Sequence, residues 1–190
     1  MSKSILISIN PKWCELIASG KKTVEVRKTK PKLDTPFKVY IYCTQGKPTL
    51  GRCLRDSSLK ATPETDFDNY NRDTLFRANG KVIGEFVCNK IEDFKPVAKD
   101  SCIYYISENE ILRTGLTQDE ILDYADGKVM YHWHISNLVI YDEPRKLSEF
   151  YVPVKDYWET YDPNKYINGR WQKPLTRPFQ SWGYVYEANT

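Results

Sequence analysis

The feature that most limits what this chain can fold into is a series of short runs that read as strands. They are Lys3–Ile9 (KSILISI), Thr23–Arg27 (TVEVR), Phe37–Cys43 (FKVYIYC), Lys81–Phe94 (KVIGEFVCNKIEDF), Lys128–Ile140 (KVMYHWHISNLVI) and Ser181–Glu187 (SWGYVYE). Side chains alternate sides along a strand. In TVEVR this puts Val24 and Val26 on one face and Thr23, Glu25 and Arg27 on the other. In FKVYIYC it separates Phe37, Val39 and Ile41 from Lys38, Tyr40 and Tyr42. Only two segments carry helical spacing. After Asn10, a natural N-cap, and Pro11, suited to the first helical turn, Trp13, Leu16 and Ile17 share one face until Gly20. Thr114–Ala125 is the second, with Thr117 and Glu120 spaced as a capping box. Strands outnumber helices and do not alternate with them. A doubly wound sheet is therefore excluded in favour of an α+β fold, a small mixed β-barrel with helices packed outside.

Two regions break the pattern. Residues 45–80 are rich in Asp, Asn, Arg and Thr with little periodicity, and read as a long inserted loop with room for short elements. Residues 151–180 are rich in Tyr, Trp and Pro and read as an irregular wrap. Asp142–Phe150 reads as a turn and short helix. The whole chain, 1–190, reads as one domain.

Charge and composition narrow the function. The 28 Lys and Arg against 25 Asp and Glu leave a net charge of +3. This permits contact with RNA or a nucleotide but lacks the strong basic footprint of a duplex-DNA binder. Aromatic residues make up 14% of the chain, enough to supply stacking faces as well as core. The five cysteines (Cys14, Cys43, Cys53, Cys88 and Cys102) are odd in number and form no C-x-x-C. Free thiols in a reducing cytoplasm are expected, with neither disulfide framework nor zinc site. The apolar stretch Ile5–Ile9 is too short for a signal peptide, and no run nears the roughly 20 residues of a membrane span. Phosphate-binding, dinucleotide-binding, zinc-protease and serine-hydrolase motifs are all missing. No cofactor and no metal are expected.

The segment GKKTVEVRKTKPK, Gly20–Lys32, then stands out for its density of charge beside a turn. ILISINPKWCELIASGKKTVEVRK resembles the opening of the ASCH domain, a branch of the PUA-like superfamily, through a G-x-K-T-x-E-x-R pattern at Gly20, Lys22, Thr23, Glu25 and Arg27. VYIYCT (39–44), KVIGEFVCNKI (81–91) and HISNLVIYDEPRKLSEF (134–150) resemble later parts of that family in order. RPFQSWGYV (177–185) resembles the closing segment of a phage and bacterial subgroup. The resemblance implies a small β-barrel with a cleft beside the first helix, and members that bind RNA or nucleotide-like ligands. One branch resembles amidohydrolases acting on acetylated cytidine with a Lys-Thr-Glu set, and another is taken as ribonucleases. Where the amidohydrolase branch places its threonine this chain has Glu25, which cannot serve as a hydroxyl nucleophile.

Binding of RNA or a (modified) nucleotide in a basic, aromatic-lined cleft is the expected function. Lys22 and Arg27 would meet phosphate, and Glu25 would accept from a base edge or order Arg27. Thr23, Gln180 and Ser181 would add polar contacts, and Trp182 would stack. Two alternatives remain. One is a ribonuclease or small nucleoside-directed hydrolase using Lys22 with Glu25 or a histidine. His132 and His134, the only histidines, fall on one strand face, and His134 is the catalytic candidate. The other is a protein-interaction module with 45–80 as its contact.

Overall fold

The computed structural model describes residues 3–54, 58–64, 75–98, 104–154, 166–167 and 170–187. Strands dominate it. β1 (Ser4–Ile9), β2 (Val24–Arg27), β3 (Phe37–Cys43), β7 (Val82–Phe94), β10 (Met130–Arg145), β11 (Phe150–Pro153), β12 (Tyr166–Ile167), β13 (Arg170–Pro174) and β14 (Trp182–Glu187) form one nine-stranded sheet. Its order is β12-β13-β11-β14-β1-β3-β7-β10-β2. β4 (Leu50–Cys53), β5 (Ser58–Ala61) and β6 (Leu75–Arg77) form a separate three-stranded sheet, and β8 (Val97–Ala98) pairs with β9 (Tyr104–Tyr105). Among the described residues three α-helices flank these strands: α1 (Pro11–Ala18), α2 (Glu108–Thr114) and α3 (Gln118–Ala125). The expected α+β, mostly-strand fold is the one observed.

The large sheet is strongly curled. A flat sheet would place β2 about 19 Å from β1, four strand spacings away. That is beyond the reach of a side chain, yet the Arg27 guanidinium donates to the Ser8 carbonyl at 2.7 Å. The β2 edge therefore returns to β1, so the fold is barrel-like although the ladder itself stays open. Bulges in β10 opposite β7, between Trp133 and Ile135 and between Ser136 and Val139, supply part of the bend.

β1 is buried at all six positions because it lies inside the sheet, parallel to β3 and antiparallel to β14. One face packs Ile5, Ile7, Ile9, Val39, Ile41, Phe86 and Trp133 with Cys14 and Ile17 of α1. The opposite face packs Leu6, Tyr40, Tyr42, Phe150 and Val185. A third cluster joins Val26 to Ile106, Ile121, Ala125 and Met130, placing the helices against β2. Each such aliphatic side chain contributes on the order of 1.5–3 kcal/mol when fully buried.

Several boundaries differ from the sequence reading. The helix expected over Thr114–Ala125 is α3, which starts only at Gln118, and a further helix, α2, precedes it. Gly115, at φ 63°, ends α2 in the left-handed conformation, and Thr117 then caps α3 with the expected Glu120 reciprocity. Region 45–80 carries β4, β5 and β6, held to the main sheet by buried Arg52, whose Nε donates to the Tyr141 carbonyl at 3.0 Å. β10 continues through Pro144 to Arg145, so the short helix expected at 142–150 shrinks to a 3₁₀ turn, Leu147–Glu149. β11, β12 and β13 fall within the expected irregular wrap. Cys102 and Trp158 lie outside the described residues, and Cys14, Cys43, Cys53 and Cys88 are free thiols.

Candidate functional site

A cleft of about 210 Å³ opens where α1, β2 and α3 meet the end of β1. Ser8, Ile9 and Asn10 form one wall, and Trp13 comes from α1. Lys22, Glu25, Val26 and Arg27 form the floor, and Leu116 and Tyr124 come from the helical side.

Local structure explains how three charged side chains come to share that floor. Asn10 caps α1 by accepting from the Lys12 N–H at 3.1 Å, which fixes the start of the helix. Gly20, at φ 73°, turns the chain back, and the Lys22 N–H donates to the Leu16 carbonyl at 2.9 Å. β2 begins only at Val24, so strand alternation does not bind Lys22 to the opposite face from Glu25. Its stem runs beneath Gly115, whose missing Cβ would lie 3.6 Å from the Lys22 Cβ. Its ammonium donates to the Thr114 carbonyl at 2.6 Å and stands 3.3 Å from a Glu25 oxygen. The other Glu25 oxygen is 3.0 Å from the Arg27 guanidinium. One carboxylate thus bridges two cations.

Lys22 is 2%, Glu25 5% and Arg27 9% exposed. Burial lowers the Lys22 pKa from its ordinary value and Arg27 adds to that, while Glu25 opposes it. Arg27 Nε is buried without a hydrogen-bond partner. Beneath the floor, burial pushes the Cys14 thiol well up, with Cys43 beside it adding to the effect. Such a thiol is inert at neutral pH.

The remaining expected site residues are placed less deeply. Ser181 reaches the cleft edge, where its hydroxyl lies 3.4 Å from Arg27 and its carbonyl accepts from the Ser8 N–H at 2.8 Å. Thr23 is exposed, and its backbone bonds to Arg113 and Ile135 rather than facing the cleft. Gln180 is exposed. Trp182 stands beyond Ser181, donates to the Thr29 hydroxyl at 3.0 Å and packs against Trp133, with ring centroids 5.7 Å apart. Trp13, Tyr124 and Leu116 were not among the expected site residues. Their helical spacing marks them as one-sided, but only the docking of α1 and α3 brings them together.

The two histidines lie apart from this cleft, under α2. His132 is buried, stacked on Phe94 at 4.4 Å, with Nδ1 3.0 Å from a Glu110 oxygen. His134 bonds Glu92 and lies 3.2 Å from Arg113, which also pairs with Glu110 at 3.2 Å. Burial, assisted by Arg113 and Lys22, pushes His132 down to about 4. Glu92 pulls the other way but does not offset the burial, so the ring is neutral at pH 7. Bonds from Lys90 and His134 hold Glu92 down at about 2. Among the described residues, no group of three or more His, Cys, Asp and Glu side chains is arranged to hold a metal ion. None of their helices is long and apolar enough to cross a membrane.

A second cleft, of about 340 Å³, lies in region 45–80 between Gln45, Thr49, Glu64, Arg77 and Asn79. Its walls are polar.

Comparison with known proteins identifies the family of the chain. The ASCH domain model matches residues 7–155. The chain belongs to the ASCH domain family, a PUA-like fold associated with RNA binding. The chain is also similar to solved structures. A tyrosine-to-phenylalanine variant of the ASCH protein from Zymomonas mobilis is 17% identical, with a TM-score of 0.48 over 97% of this chain and 91% of that one. The ASCH protein of that organism without the substitution is 18% identical, with a TM-score of 0.45 over 96% and 87%. No curated protein matches the sequence.

Proposed function

We propose that the protein binds RNA or a nucleotide-like ligand by taking one base or nucleoside into the cleft between Trp13 and Tyr124. The observation that carries this reading is the buried Lys22–Glu25–Arg27 cluster set between two partly exposed aromatic rings. Aromatic faces stack on any base, and a fixed array of donors and acceptors reads a base edge. The volume is below the roughly 300–1,000 Å³ of pockets for drug-sized ligands, so it suits a single ring system. Glu25 already neutralises one of the two cations. The floor therefore suits a polar base edge better than a phosphate. Ser181 extends the polar edge, and Gln180 and Trp182 sit further out.

Tryptophan fluorescence titrated with nucleosides and short single-stranded RNA tests this. Saturable binding is expected, and Tyr124→Ala weakens it roughly 5- to 100-fold, the worth of one stacked base. Identical titrations of wild type and Tyr124→Ala would sink the reading.

A buried lysine with a lowered pKa beside a carboxylate also favours a second reading, hydrolysis of RNA or of an acylated nucleoside with neutral Lys22 accepting the proton. Product formation that persists undiminished in Lys22→Met rules this out.

A further inference from the structure

Resting on the cleft reading above, we propose that the cleft is the first position of a track for a single nucleic-acid strand, continued by Tyr131, Lys28 and Lys30. Three aromatic rings around the cleft each carry a lysine ammonium on their face. Lys12 lies 4.2 Å from the Trp13 ring centroid, Lys28 4.9 Å from Tyr124, and Lys30 4.8 Å from Tyr131. Trp13 and Tyr124 line the cleft itself. Tyr131 sits directly across β2 and β10 from Arg27 and so shares its face, next along from the cleft floor. All three rings are partly exposed.

One ring and one ammonium per step is the chemistry of single-strand binding, in which a base stacks and a phosphate meets a cation. In the free protein the ammonium groups lie over the rings they would yield to bases. Lys12 and Lys30 also meet the exposed carboxylates of Glu120 (2.8 Å) and Asp93 (3.0 Å), surface pairs that a phosphate can displace. Lys28 has no carboxylate partner among the described residues.

The segment that bears Lys28 and Lys30 is held in shape from behind. Arg27 bonds Ser181 at 3.4 Å, Thr29 accepts from Trp182 at 3.0 Å, and the Lys32 N–H donates to the Tyr184 hydroxyl at 2.8 Å. This stitching to β14 fixes the backbone, so the two lysines project from a rigid support rather than from a loose loop. It also gives Trp182 a role: its ring braces the track. RNA and DNA single strands share the chemistry required.

The test compares a nucleoside, oligouridylate and oligothymidylate of about ten nucleotides, a duplex of equal length, and an acidic peptide of equal charge. Binding to wild type and to the Lys28→Gln/Lys30→Gln variant is followed by fluorescence anisotropy across a salt series. Both lysines are exposed, so the variant folds. At low salt one or both ten-nucleotide strands bind wild type at least tenfold tighter than the nucleoside, and tighter than duplex or peptide. The salt slope falls by about 1.4 in the variant, two phosphate contacts on a single strand. Strands that bind no tighter than the nucleoside overturn the track while leaving the cleft reading intact. An unchanged slope in the variant does the same, as does a duplex or peptide that matches the strand. Failure to bind nucleoside and strand alike overturns both.

Discussion

The Lys22–Glu25–Arg27 cluster is electrostatically asymmetric, and that asymmetry orders the effects of substitution. Among the described residues Glu25 is the only carboxylate within 4 Å of either cation, whereas Glu25 itself has two partners. Removing its charge leaves two buried cations facing each other, and Glu25→Gln is expected to cost roughly 3 kcal/mol. Lys22→Met leaves Glu25 paired with Arg27 and relieves the burial of an ammonium group. Its main loss is the donor to the Thr114 carbonyl, so it costs about 1–2 kcal/mol. Urea denaturation at pH 7 checks the order, and a Lys22→Met deficit equal to or larger than that of Glu25→Gln would refute the account. The variant also has a pH signature. Without Glu25 the folded Lys22 pKa drops further below 10.5, its unfolded value, so the unfolded chain binds the extra proton in the window between the two. Stability then rises with pH across that window, and the Glu25→Gln deficit narrows between pH 7 and 10. These three residues were legible in the sequence because they lie within six positions of one another beside a turn. Trp13, Tyr124 and the Thr114 carbonyl were not, because each is delivered by an element whose docking no local pattern specifies.

At the scale of elements, α2 is the part least legible in advance and the part most exposed to pH. Its sequence, ENEILRT, is short and mostly polar, and the left-handed Gly115 separates it from the better marked α3. What holds it is its polar contact with β10: Glu110 beside His132, and Arg113 between Glu110 and His134. The Thr23 N–H also donates to the Arg113 carbonyl, which ties α2 to the start of β2. His132 has a folded pKa of about 4 against 6.5 when exposed. The unfolded chain therefore binds more protons between those values, and stability is lost as pH falls from 6.5 to 4. The limiting size is about 3 kcal/mol. Glu92, held at about 2, adds a loss at lower pH, from 4.5 downward, discounted because its side chain is 39% exposed. His132→Phe keeps the stack on Phe94 and removes the titration. The unfolding free energy of this variant should stay flat between pH 6.5 and 5, above the range in which the carboxylates titrate, while that of wild type declines. Parallel profiles would show that the acid sensitivity lies elsewhere. The strands were more legible than α2 because alternation over five or more residues is a strong signal. Even there, β10 overran its expected end at Ile140, since Pro144 is tolerated near the end of the strand.

For the whole molecule the decisive property is the curl of the nine-stranded sheet, since it brings β2 back to β1 and so closes the cleft. The strand order was not legible, because the pairings that make it, β1 with β14 and β2 with β10, join segments more than a hundred residues apart. One local mark of the bend is Gly84. It sits in β7 between Ile41 of β3 and Ile140 of β10, beside the bulge in β10. A Cβ there would lie 2.3 Å from the Val139 carbonyl oxygen and 3.1 Å from the Ile140 Cα, both backbone atoms that cannot swing aside. Gly51 in β4 looks as crowded, with a Cβ 2.4 Å from Leu75, but the obstacle is the tip of a side chain that can change rotamer. Gly84→Ala must therefore move β10 relative to β7, whereas Gly51→Ala moves one leucine. Gly84→Ala is expected to cost about 2–3 kcal/mol, a fall in Tm of roughly 5–10 °C for a chain of this size. Gly51→Ala should lower Tm by no more than about 3 °C. Because β10 carries β2, the Gly84→Ala shift also loosens the Arg27–Ser8 closure, so nucleoside affinity should fall with stability. Gly51→Ala should leave that affinity at the wild-type value. A Gly84→Ala protein with wild-type Tm would mean that the β7–β10 pair accommodates a methyl group without strain, and that the curl does not depend on this close approach.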